Sequence, residues 1–151
     1  MKISIQQLVA INEIQAQQLC RLTAQLGYAN EPVAFAQRLQ NLISSKTDSI
    51  FIAIADDQIV GWIHGTYQLT LESPAFVEIL GLVVEAGFRG QQIGKKLIKA
   101  VKIWSQAFEV EKMRVRCNVV RLASHEFYKR LGFEENKRQV VFDWKPMVDS
   151  L

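Results

Sequence analysis

The groups best placed to do chemistry lie in residues 85–96, Glu-Ala-Gly-Phe-Arg-Gly-Gln-Gln-Ile-Gly-Lys-Lys. Before them runs Val77 to Val84, an apolar stretch of strand length rich in β-branched residues. After them the period changes: Leu97, Val101, Trp104 and Phe108 follow Ile93 on one face of an amphipathic helix. Lys95, Lys96, Lys99 and Lys102 occupy its other faces. Strand, glycine-bearing loop and helix start together aim unpaired backbone N–H groups at an anion, and the helix dipole adds to the attraction. The expected cradle is Arg89, Gly90, Gln91, Gln92, Ile93, Gly94 and Lys95. Two familiar phosphate loops do not fit. Gly94-Lys95 matches the end of a Walker A motif, but Arg89 stands at its first glycine and Lys96 replaces the Ser/Thr that would reach Mg²⁺. The dinucleotide pattern Gly-x-Gly-x-x-Gly is absent.

Glu78 is the one acid inside the apolar run, three residues before Gly81. A carboxylate on a half-buried strand is either ion-paired or functional. A glycine in mid-strand marks a bulge or a close approach of other atoms. Cys20 and Cys117 have no adjacent base to activate a thiolate and read as core residues. Two cysteines are too few for a disulfide framework, and no Cys/His cluster has zinc-ligand spacing, so no metal is expected.

Those groups need a scaffold, and 151 residues give one domain, 1–151, with a sizeable core. Hydrophobic content of 49% and charged content of 22% suit a soluble globular chain. No apolar run approaches the ~20 residues of a membrane span, and the first residues, MKISIQQLVAINE, do not form a secretory signal. A cytoplasmic setting with no membrane partner is expected. The net charge of +3 is too small for a nucleic-acid stripe.

Ile3, Ile5 and Leu8-Val9 give a first strand. Asn12, with Gln15 three residues on, caps a helix that buries Leu19, Leu22 and Leu26 and stops at Gly27. Pro32 opens a second helix with Phe35, Leu39 and Leu42 on one face. Ser49 to Ala55 and Gln58 to Leu69 form a hairpin around Asp56-Asp57. The strand Ala75 to Val84, the long helix and a strand Met113 to Cys117 follow, then a helix from Ser124 to Leu131-Gly132. Phe133 to Lys137 and Val140 to Trp144 read as a closing strand pair. The order β-α-α-β-β-β-α-β-α-β-β predicts an α/β fold with a mixed, mostly antiparallel sheet flanked by helices, and a right-handed parallel crossover around the long helix.

The loop Arg89-Gly90-Gln91-Gln92-Ile93-Gly94 resembles the acetyl-CoA loop of the GNAT acetyltransferase superfamily, Gln/Arg-x-x-Gly-x-Gly/Ala, with Gln92 in place of the middle glycine. A left-handed backbone there is costly for Gln, whereas a helical one is not. A second stretch, Arg121-Leu-Ala-Ser-His-Glu-Phe-Tyr-Lys-Arg-Leu-Gly-Phe133, resembles the Arg-x-x-Ala-His-x-Phe-Tyr-x-x-x-Gly-Phe of its small-molecule and aminoglycoside-acetyltransferase-like branches, with Ser124 for alanine. The element order is also that of the superfamily, so the resemblance covers essentially the whole chain.

The resemblance implies acetyl-CoA as co-substrate and a bulged strand that opens a slot for it. Leu82, Val83 and Val84 then bond it through their main chain, and one N–H polarises the thioester carbonyl. It implies Tyr128, placed near the start of the last helix, as the acid for the leaving thiolate, against a packing role beside Phe127. It gives Glu78 a general-base role, against an ion pair, and leaves His125 between catalysis and helix capping. Tyr28, Asn30 and His64, with Trp62 and Tyr67, would shape the acceptor side. The implied reaction is direct acetyl transfer to a primary amine of a small molecule or peptide in a ternary complex. A domain that binds acyl-CoA as a sensor without turnover is the alternative, and the family's habit of pairing implies a homodimer. The absence of a dense acidic cluster argues against polyamines and aminoglycosides as acceptors.

Overall fold

A computed structural model describes residues 2–146. Two compact units make up the chain, Met1–Arg116 and Cys117–Leu151.

The first unit is a five-stranded sheet with helices on its two faces. β1 (Ile3–Gln7), β2 (Asp48–Ala55), β3 (Gln58–Gln68), β4 (Phe76–Val84) and β5 (Met113–Val115) lie side by side in chain order. The first four are antiparallel, and β5 runs parallel to β4. That single parallel pair is the one whose connection contains the long helix, as a crossover requires. The hairpin between β2 and β3 turns at Asp56 and Asp57, both at positive φ (48° and 64°), the backbone of a type I′ turn.

α1 (Glu13–Thr23) begins with a reciprocal cap: Gln15 N–H donates to Asn12 Oδ1 at 2.8 Å, and Asn12 N–H to Gln15 Oε1 at 3.1 Å. A 3-10 turn follows it and ends at Gly27, where φ is 92°. α2 (Pro32–Ile43) has proline in its first turn, and Glu31 accepts from the N–H groups of Val33 and Ala34. Leu19 and Leu22 of α1, Leu39 of α2 and Ile50, Ile52 and Val83 of the sheet form one buried cluster. α3 (Ile93–Ser105) covers the opposite face and buries Ile93, Leu97, Ile98 and Val101. Gly65 is required there, since a Cβ would come within 2.8 Å of Val101.

In the second unit α4 (Leu122–Arg130) starts two residues earlier than the sequence predicts. It ends in a Schellman turn: Phe133 N–H donates to the Tyr128 carbonyl, Gly132 N–H donates to the Lys129 carbonyl, and Gly132 has φ 96°. The expected closing strands, Phe133 to Lys137 and Val140 to Trp144, are not strands: residues 133–146 carry no regular element. A lone two-stranded hairpin is marginal in water. The two residues between these segments, Arg138 and Gln139, also lack the positive-φ preference a tight turn needs. Among the described residues no helix is long and apolar enough to cross a membrane.

Candidate functional site

β4 is where the sheet changes character. Its first half is paired on both edges: Val77, Glu78 and Ile79 face Tyr67, Thr66 and Gly65 on β3 and Met113, Arg114 and Val115 on β5. The register with β3 then slips, from Ile79 opposite Gly65 to Gly81 opposite His64, leaving Leu80 as an extra residue. Beyond Ile79 no described strand pairs with the β5-side edge. Glu85 N–H donates to the Val60 carbonyl at 2.8 Å, which fixes the alternation. Val83 turns its main-chain groups toward β3, while Leu82 and Val84 turn theirs to the open edge. The Val84 carbonyl there accepts from Arg89 Nε at 3.3 Å.

That edge leads into the N-terminus of α3. The first helical bond runs from Lys96 N–H to the Gln92 carbonyl, so the N–H groups before Lys96 have no intrahelical acceptor. No side chain caps this end and no acid lies in its first turn. Lys95 and Lys96 sit there instead, each opposing the dipole by a few tenths of a kcal/mol. A helix start that is uncapped and carries the wrong charge sign leaves its N–H groups and dipole uncompensated from within the chain. Gln92 is left-handed, with φ 61° and ψ 21°, a conformation costing a non-glycine residue roughly 1–2 kcal/mol. With Gly90 at φ 82°, it curls the loop so that successive N–H groups face one way.

On the α1–α2 face the same bulge borders a pocket of about 330 Å³. Tyr28 and Asn30 from the connector, and His64, Trp62 and Gly81 from the sheet, line it together. Gly81 is needed for close approach: a Cβ would stand 2.8 Å from Cη2 of Trp62. Tyr67 is not part of this group; it stacks on Phe108, centroids 4.8 Å apart, beyond α3. The period of two along β3 puts Tyr67 on the opposite face from Trp62 and His64.

His64 has a partner that the sequence did not reveal. Its Nε2 lies 2.8 Å from Oδ1 of Asp48, and Ser45 Oγ donates to Oδ2 at 2.7 Å. Burial pushes the Asp48 carboxyl up, but hydrogen bonds from Ser45, His64 and Thr66 and the charge of His64 outweigh it, holding the group below the usual range. Sixteen residues separate the two, and only the strand register reveals their proximity. Arg38 is the other omission: its Nη2 donates to Asn30 Oδ1 at 2.5 Å.

Glu78 is buried, and its Oε2 accepts from Arg116 Nε at 2.9 Å. Of the two readings offered for a carboxylate on this strand, the ion pair is observed.

In the second unit Tyr128 lies in the last turn of α4, rather than near its start. Its ring meets Phe127 at 5.2 Å and Phe133 at 5.7 Å edge to face. Burial pushes the phenol up to about 12, the nearby Cys117 adds to this, and Arg121 partly offsets it. His125 Nε2 lies 2.9 Å from the Asn118 carbonyl. A carbonyl only accepts, so the ring donates there and fastens the turn ahead of the helix.

Residues 15–133 match the model of the Acetyltransferase (GNAT) family. The chain belongs to the GNAT family. An uncharacterized N-acetyltransferase of Methanocaldococcus jannaschii is 32% identical over 118 residues, covering 73% of this chain and 49% of that protein. An aminoglycoside N(6')-acetyltransferase type 1 of Salmonella typhimurium is 29% identical over 96 residues, covering 61% of this chain and 66% of its own length. The match thus spans about half of the first relative and just under two thirds of the second. An aminoglycoside N-acetyltransferase crystallised with CoA superposes with a TM-score of 0.83 at 22% identity, over 96% of each chain. At that identity the superposition shows a shared GNAT fold.

Proposed function

We propose that this chain is an acetyl-CoA-dependent N-acetyltransferase that moves the acetyl group directly to a primary amine of a small molecule or peptide. The observation that carries the reading is the continuity of three features: the open edge at Leu82 and Val84, the uncapped start of α3, and the pocket meeting the bulge at Gly81. Acetyl-CoA would supply an activated thioester and a pyrophosphate. The N–H groups from Gly90 to Lys95, with Lys95 and Lys96, fit the pyrophosphate by charge and direction. The main chain of Leu82 and Val84 is assigned to the arm that joins it to the thioester, through the edge that β5 leaves open, and the expected Val83 is dropped because its groups turn toward β3. An N–H there polarises a carbonyl as an oxyanion hole does. The family match runs through both units, and the single-domain reading of 1–151 rests on it. We place the protein in the cytoplasm, a compartment that supplies acetyl-CoA.

Tyr128 is assigned to the leaving thiolate. A phenol pushed up to about 12 stays protonated throughout the neutral range. Complete proton transfer to an ordinary thiolate would be uphill by about 5 kcal/mol. The side chain therefore acts chiefly as a hydrogen-bond donor to the developing negative charge. Glu78 remains a base only if Arg116 releases it. That commitment to Arg116 favours the rival reading of an acyl-CoA sensor without turnover, or deprotonation by another group. Calorimetry with acetyl-CoA tests the assignment. Binding in the native protein, its loss in Gly94→Glu and its retention in Tyr128→Phe are expected, with kcat falling by about one hundredfold in the latter. A folded protein that ignores acetyl-CoA would refute the transferase.

A further inference from the structure

The acceptor pocket has a charge pattern that restricts its ligand. Its walls are mainly apolar: Leu19, Leu39, Leu42, Ile50, Phe35 and Trp62. Arg38 is its charged lining residue, and no carboxylate lines it among the described residues. Resting on the transferase reading above, we propose that the acceptor is a primary amine on an apolar body bearing an anionic group remote from the amine, and that polycations are excluded.

Two observations converge on this class. Arg38 is held in place by Asn30 at 2.5 Å and by the Phe35 ring, 5.8 Å from the guanidinium carbon. A guanidinium has five donors in a planar fork, so a carboxylate can be taken by those Asn30 does not use. On the sheet side His64 faces the bulge, opposite Gly81. Asp48 is held ionised and can only accept, so Nε2 donates to it and Nδ1 is the ring nitrogen not used in that bond. The Asp48 carboxylate behind the ring places the pocket's nearby negative charge on this side, opposite Arg38 in sign, and suits a single amine.

A second or third ammonium has no counterpart here. Burying one beside apolar walls, with Arg38 at the rim, costs several kcal/mol unless it is paired. The volume of about 330 Å³ is at the small end for ligand sites, enough for one ring and its substituents.

The test is calorimetric titration of amines onto the intact protein saturated with CoA. The probes are 4-(2-aminoethyl)benzoate, phenethylamine, spermidine and sisomicin. The benzoate is expected to bind about fivefold to tenfold tighter than phenethylamine, and both tighter than the polycations. Arg38→Met should bring the two aryl amines within about twofold while CoA affinity is unchanged. Tightest binding of spermidine or sisomicin would overturn the proposal, as would a preference that survives Arg38→Met. So would failure of both aryl amines to bind the CoA-loaded protein. In each of those cases CoA still binds and the transferase reading stands. Loss of CoA binding in the native protein is a different result, and it removes both.

Discussion

The two halves of β4 differ in almost every respect although one apolar run encodes both. From Phe76 to Ile79 the strand is buried, and from Val77 it is paired on both edges, with its one acid answered by Arg116. From Leu80 to Val84 the strand has lost its second partner, carries an extra residue, and lets an indole lie against a glycine. The first half contributes stability by satisfying every group. The second half leaves groups unsatisfied in a sheet rigid enough to hold them there. An open edge of this kind requires the paired half beside it, since an isolated strand with open main-chain groups would add any available partner.

The largest effect should come from breaking the paired half. Arg116→Ala strands a buried carboxylate and is expected to cost about 3 kcal/mol in denaturant unfolding. Glu78→Gln in the same background should recover part of it. If Arg116→Ala leaves stability unchanged, the ion pair does not hold this half together.

In the open half Gly81→Ala drives a methyl into Trp62. A cost of about 1–3 kcal/mol is expected, with amine affinity falling more than acetyl-CoA affinity. Equal losses of both would mean that the pocket and the edge are not separable.

Asp48→Asn tests the bond that fixes His64 opposite the bulge, at an expected cost of about 1–2 kcal/mol near neutrality. Because the Asp48 carboxyl is depressed in the folded protein, its contribution is complete above its ordinary value of 3.8. It is lost as pH falls through the lower folded value. Acid titration of stability should therefore be flatter in Asp48→Asn than in the native protein.

The smallest effect concerns the loop that continues the open half. Gln92→Gly relieves a left-handed glutamine and should stabilise by about 0.5–1 kcal/mol, net of the entropy glycine adds to the unfolded chain. Acetyl-CoA affinity should be kept, since the backbone shape is kept. A destabilised variant would show that the Gln92 side chain contributes more than its backbone costs.

Much of this was legible in the residues themselves, wherever the deciding interaction spans a few positions. The Asn12–Gln15 cap, the Gly27 and Gly132 stops, the Asp56-Asp57 turn and the buried face of α3 all follow from neighbours one to four residues apart. The start of α3 at Ile93, straight after the glycine-bearing loop, is equally local. Gly81 could be read as a bulge or a close contact, and it is both. The closing strands failed because the β-formers at Val140 to Trp144 describe only a propensity, and propensity needs a partner edge.

What tertiary structure alone decided was the matching of distant residues: Asp48 with His64, Arg116 with Glu78, and Arg38 with the pocket under Tyr28 and Asn30. Strand register makes those matches. A one-residue slip sends a side chain to the opposite face, so the extra residue at Leu80 changes which groups meet beyond it, and no short-range pattern in the sequence encodes those matches.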